Sequence, residues 1–85
     1  MATVLITASA RQELDDLPIV IHARVLDIFE RLEKWPAVSG VKPLKRDLAG
    51  SWRIRTGDYR VVFRVSANGE IVTVWKIGDR GGVYE

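Results

Sequence analysis

The sequence predicts an α+β domain in which a two-helix hairpin packs on one face of a four-stranded, mainly antiparallel sheet. Three features predict this class: a β-branched run at residues 3–7, apolar residues at helical spacing over residues 18–35, and alternating apolar runs in the back half. The predicted order of elements is β-α-α-β-β-β. With 85 residues and neither a linker nor an internal repeat, residues 1–85 are expected to form a single domain.

The first half of the chain predicts one strand and two helices. Residues 3–7 read T-V-L-I-T, a composition typical of a strand. Ser9 is the predicted N-cap of a short helix that runs through Leu17, and Pro18 either ends that helix or opens the next. The second helix ends before Pro36. Its core-facing stripe is Ile21, Val25, Ile28, Phe29 and Leu32.

The second half predicts an antiparallel meander of three strands. Residues 37–51 first form an irregular connection that is rich in glycine and proline. The turn dipeptides Gly57-Asp58 and Asn68-Gly69 then separate three alternating apolar runs. These runs are residues 52–56, 59–66 and 71–77.

Alternation along these strands predicts a basic sheet face. Successive side chains of a strand point to opposite faces, so Arg53 and Arg55 share one face while Ile54 points to the other. In the next strand, Tyr59, Val61, Phe63 and Val65 are predicted in the core, and the alternate set faces outward. That outward set is Arg60, Val62, Arg64 and Ser66. We therefore expect an open, basic face flanked by the loop of residues 42–46 and by the tail of residues 78–85.

Charge distribution points to an anionic partner. The net charge is only +2, but residues 1–41 carry four Lys/Arg against six acidic residues, whereas residues 42–64 carry seven against two. A small domain polarised in this way typically meets an anion with its basic half. The chain has no cysteine, which excludes disulfide and cysteine-metal frameworks and fits a reducing compartment. No apolar run reaches membrane-spanning length, so the predicted location is the cytoplasm, without membrane contact.

Two segments resemble the RelE branch of the RelE/ParE superfamily of bacterial toxins. Residues 42–63 read K-P-L-K-R-D-L-A-G-S-W-R-I-R-T-G-D-Y-R-V-V-F, and residues 74–84 read V-W-K-I-G-D-R-G-G-V-Y. The upstream A-R-Q-E-L-D-D-L-P at residues 10–18 is similar too. The resemblance implies a single RelE-like toxin domain with the microbial-ribonuclease-like fold of the family.

The resemblance also implies an activity and its partners. RelE-like toxins of type II toxin–antitoxin systems act as ribosome-dependent messenger RNA endoribonucleases, or mRNA interferases, and so inhibit translation. They enter the ribosomal A site and cut by attack of the RNA 2′-hydroxyl, with neither metal nor cofactor. A cognate antitoxin silences the toxin, and operator DNA is bound only through the toxin–antitoxin complex.

Individual residues carry over from the motifs. The expected catalytic residues are Arg53, Arg55, Arg60, Arg80 and Tyr84. The basic residues expected to bind RNA or the ribosome are Lys42, Lys45, Arg46, Arg64 and Lys76. The best-studied relatives have lysine where this chain has Arg53 and Arg55, and arginine stays protonated in proteins, so neither can readily serve as the general base. Tyr84 and Lys45 remain candidate bases, while the single histidine, His22, reads as a surface helix residue.

Two other functions stay open at this point. A ParE-like toxin shares the fold but poisons DNA gyrase and is not a nuclease. A non-catalytic relative that binds nucleic acid or protein would keep the basic face without the reaction. The joint presence of four motif arginines and Tyr84 favours the nuclease.

Overall fold

The computed structural model describes residues 1–79, without the side chain of Arg46. Two helices pack on one face of a five-stranded sheet with the strand order β1-β5-β4-β3-β2. β1 runs parallel to β5, and the other pairs are antiparallel. The elements are β1 (Thr3–Ile6), α1 (Ala8–Asp15), α2 (Ile19–Leu32), β2 (Val41–Pro43), a 3₁₀ helix (Arg46–Leu48), β3 (Ser51–Thr56), β4 (Tyr59–Val65) and β5 (Ile71–Asp79). The predicted α+β class is confirmed, with five strands in place of four.

The additional strand, β2, lies in the segment that was predicted to be irregular. Its three residues pair with β3, with Lys42 opposite Arg53 and Pro43 opposite Trp52. Three residues are too short to show an alternating pattern, and Pro43 reads as a strand breaker. An edge strand tolerates proline because one side of it needs no partner for its N–H groups.

The start of α1 also differs from the prediction. Thr7, not Ser9, is the N-cap, and its Oγ1 accepts a hydrogen bond from the Ala10 N–H at 3.1 Å. β1 accordingly ends at Ile6, one residue earlier than expected. Thr7 and Ser9 both have the hydroxyl group that suits an N-cap, so the cap is decided by the residue at which β1 ends.

The main core lies between the helices and the sheet. In α2, Val25, Ile28 and Leu32 are buried, and Ile21 and Phe29 pack half-buried against the same cluster, which confirms the predicted stripe. The sheet contributes residues from three strands: Ile54, Val61, Phe63, Val72, Val74 and Ile77. This core fixes the other side of β3 and β4 as the outer face.

The outer face is the sheet surface opposite the helices, and it is covered around Val62 rather than open throughout as predicted. Val62, expected to face outward, is only 1% exposed, because Leu44 covers it from the segment after β2. Leu48 and Trp75 pack against the same pair. These apolar side chains form a second, smaller core on the outer side of the sheet, since each is removed from water by the others.

Candidate functional site

The outer face brings four of the predicted basic residues together in register. Directly opposite residues of an antiparallel pair share a face of the sheet. Arg53 lies between Lys42 on β2 and Val62 on β4, and Arg55 lies opposite Arg60. The structure thus sets two cationic pairs side by side, one across β2–β3 and one across β3–β4.

The Arg55–Arg60 pair lines a pocket of about 70 Å³ together with Gly57 and Asp58. Arg55 is exposed, whereas Arg60 is only 5% exposed. The tight turn depends on Gly57, whose φ of +59° is in the left-handed region that favours glycine. The pocket has room for a single tetrahedral anion and too little for a nucleoside. The two guanidinium groups both suit an anionic ligand, since their planar forks match two phosphate oxygens.

The Lys42–Arg53 pair lines a larger pocket of about 290 Å³, with Pro43, Leu44 and Lys45 as its other described walls. Lys42, Arg53 and Lys45 supply three positive charges. Pro43 and Leu44 supply an apolar surface. A cationic rim beside an apolar wall suits a ligand with one anionic group and one flat or aliphatic part.

Arg64 also lies on the outer face but is held to its surroundings. Its Nε donates a hydrogen bond to Ser51 Oγ at 3.2 Å, and its guanidinium carbon lies 5.5 Å from the centroid of the Trp75 ring. Trp75 Nε1 donates to the same Ser51 oxygen at 3.3 Å. Ser51 therefore positions both side chains.

Lys76 lies opposite Val62 on the outer face, and its ammonium group is bound by α1. Its Nζ forms an ion pair with Glu13 Oε2 of α1 at 2.6 Å. Glu13 Oε1 also accepts the Ile77 N–H at 3.0 Å. Glu13 therefore holds the end of the Lys76 side chain, which distinguishes it from the other basic residues expected to bind RNA.

Three predicted site residues fall wholly or partly outside the described residues. Arg80 and Tyr84 lie beyond residue 79. Arg46 begins the 3₁₀ helix, and its side chain lies outside the described part as well. Within residues 1–79, the side chains that the structure describes include no group of three or more carboxylates or imidazoles placed to hold a metal ion. None of the helices in that part of the chain is long and apolar enough to cross a membrane.

Sequence reasoning missed several residues of this surface. Asp58 was read only as a turn residue, yet it lines the Arg55–Arg60 pocket. Arg24 reaches the same turn, with Nη1 3.9 Å from the position of a Cβ built on Gly57. Ser51 shares its face with Arg53 because it lies two residues earlier in β3. The predicted strand began at residue 52, and a start one residue earlier would have placed Ser51 on this face. Glu13 had no such signal, since its partners are 63 and 64 positions away.

Comparison with known proteins agrees with this geometry. Residues 4–84 match the family described as the ParE toxin of type II toxin-antitoxin systems, parDE. The toxin RelG of Mycobacterium tuberculosis is 36% identical over 83 residues, which are 96% of this chain and 94% of that toxin. The chain belongs to the RelE/ParE superfamily of toxins. As a member of that superfamily, it is a toxin of the type II toxin–antitoxin class.

Solved structures of RelE/ParE toxins share the fold. The toxin in the RelBE2 toxin–antitoxin complex of Mycobacterium tuberculosis superimposes with a TM-score of 0.80 at 32% identity, covering 93% of this chain and 98% of that chain. The archaeal RelE–RelB complex of Pyrococcus horikoshii gives a TM-score of 0.78 at 27% identity, covering 96% and 98%. The predicted resemblance to the RelE-like branch and the predicted fold are both confirmed.

Proposed function

We propose that this RelE/ParE toxin is a ribosome-dependent messenger RNA endoribonuclease that inhibits translation. The observation that carries the proposal is the pocket between Arg55 and Arg60, which is cationic and has the size of one phosphate group. A gyrase inhibitor needs no phosphate-sized site with a buried guanidinium. Similarity to toxins named RelG and RelE supports the same activity.

Chemically, cleavage needs a base, an acid and a cation cluster. The 2′-hydroxyl loses its proton to the base and attacks the neighbouring phosphorus, while the bond to the 5′-oxygen breaks and that oxygen takes a proton. The products are a cyclic phosphate, or a 3′-phosphate after its hydrolysis, and a 5′-hydroxyl. Guanidiniums match two phosphate oxygens at once and stabilise the charge that develops on them. The surroundings of Arg60 strengthen that attraction because they exclude water.

The residues take the following roles in the proposal. Arg53, Arg55 and Arg60 hold the RNA phosphates, and Arg80 assists the leaving oxygen. Tyr84 either positions a nucleobase of the RNA or acts as the general base that accepts the 2′-hydroxyl proton. Lys45 is the other candidate for the general base. The remaining basic residues bind RNA or the ribosome, namely Lys42, Arg46 and Arg64. Lys76 is left out because Glu13 already binds its ammonium group.

The proposed partners follow from the family. Relatives have been solved in complex with their antitoxins, which supports a cognate antitoxin for this chain. The toxin then reaches operator DNA only as part of that complex. Its ribosome and messenger substrates are in the cytoplasm.

Single-turnover cleavage of a messenger on purified ribosomes tests the activity. Arg55→Ala and Arg80→Ala should each reduce the rate by about 10²-fold or more, as does loss of one preorganised donor to developing charge. Arg64→Ala should cost much less and act through affinity. The matched control is Arg11→Ala, which removes an exposed arginine of α1 that forms an ion pair with Asp15 on the same helix. Wild-type rates in both Arg55→Ala and Arg80→Ala would refute the assignment.

Inhibition of DNA gyrase is the second candidate, because the matching family is described as ParE. A supercoiling assay with purified gyrase separates the two functions. The nuclease proposal expects unchanged supercoiling and new messenger 5′-ends. Inhibited supercoiling with intact messenger would favour the ParE-like function, and neither effect would favour a non-catalytic relative.

A further inference from the structure

The outer face repeats one arrangement twice along β3. Lys42 lies directly opposite Arg53, and Arg55 lies directly opposite Arg60. Each of these like-charged pairs lines a pocket. Two cation-lined pockets in adjacent positions suit two anionic groups that bind side by side.

The spacing of the two pairs matches a nucleic acid strand. Arg53 and Arg55 are two residues apart on β3, and a strand rises about 3.3 Å per residue, so their backbone positions are separated by roughly 7 Å. Neighbouring phosphates of an extended single strand are separated by a similar distance. An RNA strand that runs along β3 can therefore present one phosphate to each pair.

We propose that the Lys42–Arg53 pocket is a nucleotide subsite that holds the phosphate next to the scissile one. The inference rests on the proposed nuclease function and adds a specific substrate contact to it. The two pockets differ in size as this assignment requires. The 70 Å³ pocket takes a phosphate group alone. The 290 Å³ pocket approaches the volume of small-ligand sites, which begin at roughly 300 Å³, and has room for the attached nucleoside.

The walls of the larger pocket are well anchored. Leu44 is 5% exposed and packs on Val62, and its N–H donates to the Ser51 carbonyl oxygen at 2.9 Å. This bond extends the β2–β3 pairing by one residue and holds the following Lys45 beside the pocket. Pro43 and Leu44 offer an apolar wall to a ribose or a base, while the three cations surround the phosphate.

Neutralising single phosphates tests the subsite. Messengers are prepared with one uncharged methylphosphonate linkage, either 5′ or 3′ of the scissile linkage, and are loaded on purified ribosomes. Cleavage is measured in single turnovers over a range of toxin concentrations for wild type, Lys42→Ala and Lys45→Ala. Lys34→Ala removes an exposed lysine from the end of the helical layer and serves as the matched control.

On the unmodified messenger, Lys42→Ala and Lys45→Ala should each raise the half-saturating toxin concentration about tenfold, the loss expected for one charge-assisted contact. One of the two methylphosphonates should cause a similar loss in wild type. Combining that linkage with either lysine variant should add nothing further, because both changes remove the same contact. Lys34→Ala should be unchanged alone and should leave the methylphosphonate loss intact.

Three outcomes would overturn the subsite while wild type still cleaves. In the first, neither lysine variant changes the half-saturating toxin concentration. In the second, neither neutral linkage changes it. In the third, the loss from a lysine variant adds to the loss from each of the two methylphosphonates. The last outcome would assign the lysines to ribosomal RNA. Failure of wild type to cleave the unmodified messenger on ribosomes would instead refute the proposed function itself.

Discussion

At the scale of single residues, Ser51 organises one side of the outer face. Its side chain is 1% exposed, and its hydroxyl oxygen accepts from both Arg64 Nε and Trp75 Nε1. Trp75 packs against the small cluster around Val62, and the Arg64 guanidinium lies over the Trp75 ring. Ser51 is buried and Trp75 is half-buried, so an indole N–H that loses this acceptor is only partly compensated by water.

Ser51→Ala should therefore reduce the free energy of unfolding by about 1–2 kcal/mol. Urea denaturation of purified toxin, followed by tryptophan fluorescence, measures the change and also reports on Trp75. Ser39→Ala is the control, since Ser39 is exposed and contributes its backbone oxygen to the hydrogen bond with Arg31. Equal midpoints for Ser51→Ala and Ser39→Ala would contradict this role for the hydroxyl.

At the scale of secondary-structure elements, Glu13 joins α1 to β5. The parallel pairing of β1 with β5 ends at Val74, and the chain then turns into α1. Beyond that point, the Glu13 carboxylate accepts the Ile77 N–H and the Lys76 ammonium group along the same edge. The Glu13 side chain thus takes over from β1 as the hydrogen-bonding partner of β5. It holds the end of β5, where Gly78 pairs with Arg60.

Glu13→Ala should lower the free energy of unfolding by about 1–2 kcal/mol, a value reduced for partial exposure of the ion pair. Glu13→Gln should cost less, because the amide oxygen still accepts the backbone N–H. Chemical denaturation of both variants tests this order against Glu30→Ala, which changes an exposed glutamate of α2. If Glu13→Ala unfolds at the same urea concentration as Glu30→Ala, the carboxylate does not join the two elements.

At the scale of the whole molecule, the two layers of the fold carry different charge. Residues 1–41 include both helices and have more acidic than basic residues, whereas residues 42–64 supply the cations of the outer face. A layer of mostly one sign attracts an oppositely charged partner over several ångströms and weakens its own domain by self-repulsion. A protein partner that covers the outer face should therefore stabilise the toxin as well as silence it.

Co-expression with the product of an adjacent small gene should yield a complex that co-purifies and restores growth. At 100-fold over its dissociation constant, such a partner adds about 2.7 kcal/mol to the free energy of unfolding. In a domain of this length, that raises the melting temperature by roughly 10 °C or more. Scanning calorimetry of toxin and complex measures the shift. Growth that is normal when the toxin is expressed alone would remove support for a toxic activity.

The sequence by itself determined the class of the fold and which residues share a face. The helical spacing of Val25, Ile28 and Leu32 and the alternation of Arg53 with Ile54 are local periodicities, so they can be read without knowing what the elements contact. The same alternation predicted that Arg53, Arg55 and Arg60 lie together, which β-strand pairing confirms.

Only the tertiary structure decided how exposed those residues are and what holds them. The covering of Val62 by Leu44 and the pairing of β2 each depend on a segment that has no period of its own, and no local pattern predicted the burial of Arg60. The bonds from Glu13 to β5 join positions more than 60 residues apart. Contacts of this kind form only when the whole chain packs, because no local pattern specifies which distant segment will meet a given side chain.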